Sequence, residues 1–186
     1  MNCKNQRKFR LKMTARECAY LAAFVSLVIA SQVALATIPG VEVVTLLFVV
    51  YAFVFGARRG MLSATAFSFL RMFIFGFDMK VLVLYLLYFN ALTALFGWLG
   101  HITKRPMRAV VWLTAIACVC TVCFTLLDNL LTVVWYAYSA RAAKVYFMAS
   151  LSFMIPQVIC TAVSVGVLFV PIWKIFLLVK RSLKKD

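Results

Sequence analysis

The chain has 186 residues, of which 66% are hydrophobic and 13% charged, with a mean hydropathy of +1.01. Soluble domains are about half apolar and a quarter charged, so this composition excludes an ordinary soluble globular domain. The net charge of +15 would suggest nucleic acid in a soluble protein, but here it reads as the basic excess of cytoplasmic loops in a membrane protein, with no nucleic acid partner expected.

The charges are sorted along the chain. Sixteen of the 20 Lys and Arg lie in four clusters: Lys4 to Arg16, Arg58–Arg59, Lys104 to Arg108, and Lys174 to Lys185. A hydrocarbon core about 30 Å thick takes about 20 apolar residues per helix, so there is room for five or six spans and no extramembrane domain. Residues 1–13 form a basic tail, 14–179 an all-α integral membrane bundle, and 180–186 a second basic tail. The first apolar stretch reads as a retained span rather than a cleavable signal, because the basic region is long and no small-residue site closes the stretch.

Helix 1 is predicted from Thr14 to Ala36. An outside loop with Pro39, Gly40 and Glu42 follows, then a short helix 2 from Val44 to Phe55. The run Gly56-Ala57-Arg58-Arg59-Gly60 reads as a tight cytoplasmic turn, its glycines relaxing the backbone and its arginines held inside. Helix 3 covers Met61 to Phe75, and Gly76 to Met79 turn outside. Helix 4 covers Lys80 to Ile102, with a basic inside loop from Lys104 to Arg108. Helix 5 runs from Ala109 to Tyr138. Helix 6 runs from Lys144 to Val179, with Pro156 and Pro171 expected to kink it or mark its ends. This assignment puts 16 basic residues inside and three outside (Lys80, Arg141, Lys144), with Arg71 within helix 3. Six spans with both termini cytoplasmic satisfy the positive-inside rule; five or seven would put a basic cluster outside.

Polar side chains within spans are costly and face a protein interior or a cavity. Arg71 lies 12 residues past Arg59, about 18 Å above the cytoplasmic face at 1.5 Å per residue. Asp128 and Asn129 fall near the outer end of helix 5, and Asn90 and Gln157 at mid-depth. Tyr85 and Tyr88 lie above Asn90; Glu42 lies in the first outside loop with Gln32 beneath it. Trp135 and Tyr136 add rings at the outer end of helix 5. This set points to a pocket open to the outside, with Arg71 toward a carboxylate or phosphate, Asp128, Asn129, Asn90 and Gln157 as hydrogen-bonding groups, and Tyr85, Tyr88, Trp135 and Tyr136 against a ring. Packing readings stand beside it: an Arg71–Asp128 pair, amides bridging helices, and aromatic interfacial anchors.

Helix 1 carries small residues at every fourth position, in two strips: Ala15, Ala19, Ala23, and Ala22, Ser26, Ala30, Ala34. Such a strip allows close approach of another helix, within the bundle or on a partner. Cys118, Cys120 and Cys123 cluster mid-span with no His or carboxylate beside them, so they read as packing residues rather than metal ligands. His101 is the only histidine and sits at the cytoplasmic end of helix 4. No convergent acid–base set and no phosphate-binding glycine loop are present, so neither an enzyme nor a cofactor is expected.

Two runs resemble a known family. Ile38-Pro39-Gly40-Val41-Glu42-Val43-Val44-Thr45-Leu46-Leu47, followed by Tyr51-Ala52-Phe53-Val54-Phe55-Gly56 with Arg58 and Gly60, resembles the signature of energy-coupling factor (ECF) transporter S components. Their nearest group has a Leu-Pro-Asn-Ile-Glu-type first loop. The end, Leu168-Phe169-Val170-Pro171-Ile172-Trp173-Lys174, is similar to that group's closing pattern. The resemblance implies a six-helix subunit of a bacterial plasma membrane that captures a vitamin or related micronutrient, a cobalamin-type ligand among the options. It also implies docking through small residues of helix 1 onto a transmembrane coupling subunit, with two cytoplasmic ATPases driving uptake and the first outside loop acting as a gate. Arg71 and the Asp128-Asn129 pair depart from the family's pattern. The rival readings are a stand-alone small-solute carrier, which would be expected to show inverted repeats not found here, and a non-catalytic structural membrane protein.

Overall fold

A computed structural model describes residues 14–37, 43–103 and 106–183. Six helices make up the fold, with no strand among the described residues: α1 (Ala15–Leu35), α2 (Val44–Phe55), α3 (Ala57–Phe75), α4 (Met79–Ile102), α5 (Pro106–Trp135) and α6 (Ala140–Ser182). Four of them, α1, α4, α5 and α6, are long and apolar enough to cross a bilayer. At 12 residues α2 spans only about 18 Å, and α3 is diluted by Arg58, Arg59 and Arg71.

Local chemistry sets the helix ends. Thr14 starts α1 with a capping box: its hydroxyl accepts from the Glu17 N–H, and the Glu17 carboxylate accepts from the Thr14 N–H, both at 3.3 Å. Asp78 caps α4 by accepting from the N–H groups of Lys80 and Val81. The expected turn over 56–60 contracts to one residue. Gly56, at φ +89°, reverses the chain by itself, and Ala57 already belongs to α3. Arg58 and Arg59 therefore ride on the first turn of a helix, where Arg59 pairs with Glu17 of α1. α5 begins at Pro106, earlier than expected, because proline's missing N–H costs nothing in a first turn.

Pro156 and Pro171 do not end α6; both lie inside a continuous helix of 43 residues. Membrane helices tolerate interior prolines where neighbouring helices satisfy the freed carbonyls. The whole helix would measure about 65 Å, but its apolar part, from Lys144 to Lys174, covers about 45 Å, matching a bilayer with its headgroups.

The short α2 is the centre of the molecule. Every residue from Val44 to Val54 is buried, and it touches each of the other five helices. A chain of rings follows it from one end of the bundle to the other. Tyr51 stacks on Phe24 at 3.9 Å, Phe48 meets Phe89 at 4.8 Å and Phe67 at 5.3 Å, and Phe67 leads to Tyr85 at 6.0 Å. α4 lies close against the α2–α3 junction because Gly97 has no side chain: a Cβ there would fall within the backbone of Ala57. α5 and α6 pack along each other as an antiparallel pair, with the Thr121 and Thr161 hydroxyls in contact at 3.1 Å.

Candidate ligand-binding site

A cleft of about 280 Å³ opens between α5 and α6. Helical spacing builds it. Thr125, Asp128 and Asn129 project from successive turns of α5, and Tyr146, Ser150, Phe153 and Gln157 from successive turns of α6. Phe124 and Phe153 supply apolar walls. Three residues expected from the sequence, Asp128, Asn129 and Gln157, line this one cavity.

Each polar group in the cleft is held by a neighbour. Lys80 Nζ donates to Asp128 Oδ1 at 2.9 Å and to Thr132 Oγ1 at 3.1 Å. Asn129 Nδ2 donates to Ser150 Oγ at 2.6 Å, and Thr125 Oγ1 donates to Gln157 Oε1 at 3.3 Å. The Tyr146 hydroxyl reaches Thr132 Oγ1 at 3.5 Å. Asp128 Oδ2, Asn129 Oδ1 and Gln157 Nε2 are left without a protein hydrogen bond among the described residues. The cleft thus offers two acceptors and one donor between phenyl walls.

The Lys80–Asp128 pair changes two expectations. Asp128 does not pair with Arg71, and Lys80, counted among the outside charges at the start of helix 4, turns its side chain inward from the first turn of α4 and is only 11% exposed. Its position beside an apolar run hid this, since a lysine at a helix start reads equally as a loop charge.

Arg71 lies elsewhere. Its guanidinium sits over the rings of Tyr85 at 4.2 Å and Phe75 at 4.9 Å, and its buried Nε has no hydrogen-bond partner. No carboxylate pairs with it among the described residues. Gln32 of α1 donates to the Tyr85 hydroxyl at 3.3 Å, and its Oε1 is also buried without a partner. Tyr85 meets Phe124 edge-to-face at 6.0 Å and so links the guanidinium to the cleft wall, and Tyr88 backs the same Phe124 ring at 4.7 Å. Arg71, Tyr85 and Tyr88 therefore form a layer behind the cleft rather than part of its lining.

Asn90 serves packing. Its amide donates to the Leu86 carbonyl at 2.8 Å and its oxygen accepts from Thr65 at 3.3 Å, joining α4 to α3. Trp135 ends α5 half-exposed and away from the cleft, and Tyr136 stacks on Tyr138 at 6.0 Å. Glu42, with the rest of the first outside loop, lies outside the described residues. On α1, Ala15, Ala19, Ala22, Ala23, Ser26 and Ala30 are all exposed, so neither small-residue strip is used for packing inside the bundle. The described residues hold no group of three His, Cys, Asp or Glu able to bind a metal.

Sequence reasoning missed Lys80, Thr125, Tyr146, Ser150 and Phe153. A signal existed for the α6 group: Tyr146, Ser150, Phe153 and Gln157 recur at helical spacing on one face. Compared with known proteins, the chain matches no protein-family model, no curated protein and no solved structure, so a functional reading rests on its own residues.

Proposed function

We propose that the protein is the substrate-capture subunit of an ECF-type importer of the plasma membrane, with six spans and both termini in the cytoplasm. It binds a vitamin-like micronutrient and passes it to a coupling subunit driven by two ATPases. The observation that carries this reading is the cleft between α5 and α6, which combines unpaired amide and carboxylate atoms with aromatic walls inside an otherwise apolar bundle. Polar groups of this kind within spans mark ligand sites. The exposed small-residue face of α1 supports docking onto another helix.

The cleft also bears on the ligand. Sites for drug-sized molecules occupy about 300–1,000 Å³. At about 280 Å³ the cleft suits a compound of one or two rings with hydrogen-bond donors for Asp128 and Asn129. A cobalamin-type ligand would need it to open widely.

The experiment is to purify the protein in mild detergent from cells grown in rich medium and identify co-purified small molecules by mass spectrometry. A vitamin-sized compound should accompany the wild type. An Asn129→Ala, Gln157→Ala variant of unchanged elution should lose at least about tenfold of it, since each lost hydrogen bond costs about 1 kcal/mol and more inside a closed site. A compound retained equally by the variant would sink the assignment of the cleft.

A further inference from the structure

A second cavity system lies at the basic end of the bundle. α1 and α6 do not approach within 8 Å between Cα atoms among the described residues. They bracket a groove floored by α2, across which Phe176 touches Phe24 at 5.9 Å and Tyr51 at 6.0 Å. Its inner part is a slot of about 160 Å³ lined by Ala23, Leu27, Tyr51, Phe55, Phe176 and Val179. Its outer part, about 580 Å³, is lined by Arg16, Ala19, Tyr20 and Ser182. The two parts share Tyr20 and Ala23, so the groove is continuous, apolar within and cationic at the mouth. Arg181 in the last turn of α6 adds charge at the same end, while the Lys180 ammonium donates to the Val54 carbonyl of α2.

We infer that this groove binds one anionic glycerophospholipid, with an acyl chain in the slot and the phosphate at Arg16. Its order of surfaces, apolar slot then basic mouth, is that of a phospholipid at a membrane face. Lipid in the groove covers Ala19 and Ala23. The strip Ala22, Ser26 and Ala30 then remains as the face of α1 open to a protein. The lipid site does not depend on the importer reading.

The test uses the full chain in detergent, supplemented with phosphatidylglycerol or with phosphatidylcholine of the same acyl chains, and counts retained lipid by native mass spectrometry. Phosphatidylglycerol should be retained about fivefold over phosphatidylcholine for each basic side chain engaged. Arg16→Gln should bring that ratio toward unity, and Ala23→Phe should reduce retention of both lipids by filling the slot. Val167→Phe, which adds the same ring on a lipid-facing part of α6, should change neither. If Ala23→Phe fails to elute as a folded protein, Leu27→Phe replaces it. Equal retention of the two lipids, or retention indifferent to both groove substitutions, would overturn the site. Displacement by glycerol 3-phosphate would overturn it in favour of a free phosphate ester. A groove that holds no lipid and is shielded only in a complex with another protein would overturn it in favour of a partner.

Discussion

Lys80 and Asp128 face each other at 2.9 Å with side chains 11% and 30% exposed, and neither is free to leave the other without cost. Replacing one partner strands the other charge in a poorly solvated place. Asp128→Leu is therefore expected to lower stability by about 2 kcal/mol, discounted for the partial exposure of the carboxylate. The double variant Lys80→Met, Asp128→Leu should recover most of that loss. Thermal unfolding in detergent, arranged as a double-mutant cycle, measures the coupling; additive effects of the two single changes would exclude it. The sequence made Asp128, Asn129 and Gln157 legible because polar residues stand out in apolar spans. It did not reveal which partner each would take. Asn90 looked the same as Gln157 in sequence, yet its amide is spent on Leu86 and Thr65 while Gln157 faces a cavity. That difference is one of helix rotation, which single-chain periodicity fixes only when the polar face is marked by several residues. Arg71 stood out for the same reason and proved to be held by rings, which offer a guanidinium about 0.5–2 kcal/mol each depending on desolvation.

The number, order and approximate limits of the helices followed from charge clusters and apolar lengths. Three features did not. α2 is wrapped by protein over its whole length, although a run of unbroken apolar residues reads the same whether lipid or protein surrounds it. α6 passes through Pro156 and Pro171 without a break, where the sequence left open whether they kink the helix or mark its ends. The turn at 56–60 shrank to Gly56 because one positive φ suffices for the reversal. Close approach of α4 to the α2–α3 junction gives a prediction with a definite sign. In an open helix Gly→Ala is stabilising by about 1 kcal/mol. At Gly97 the added methyl would meet the backbone of Ala57, so Gly97→Ala should instead destabilise the fold and lower the yield of monodisperse protein. A gain in melting temperature on Gly97→Ala would show that the helices are not in this contact.

For the molecule as a whole, charge placement and shape point the same way. Arg16, Arg58, Arg59, Lys180 and Arg181 gather at one end, where Glu17 is paired with Arg59. The cleft, with Asp128 and Tyr146, lies toward the turns that join α3 to α4 and α5 to α6. In intact cells, and in a background otherwise free of cysteine, Cys18 should react with a thiol reagent only after the membrane is permeabilised. A cysteine at Ser139 should react directly. The reverse order would invert the topology and place the cleft on the cytoplasmic side.

The most direct test of capture from outside joins access and occupancy in one experiment. Ser150 is replaced by Cys in the cysteine-free background, where it keeps a small side chain beside Asn129 on the cleft wall. The cells are treated with a membrane-impermeant thiol reagent, with and without the compound that co-purifies with the wild type. The expected result is labelling from outside that falls at least about tenfold when the cleft is saturated, since a bound ligand buries most of the wall it touches. Labelling that requires permeabilisation, or that the compound leaves unchanged, would contradict an outward-facing capture site between α5 and α6.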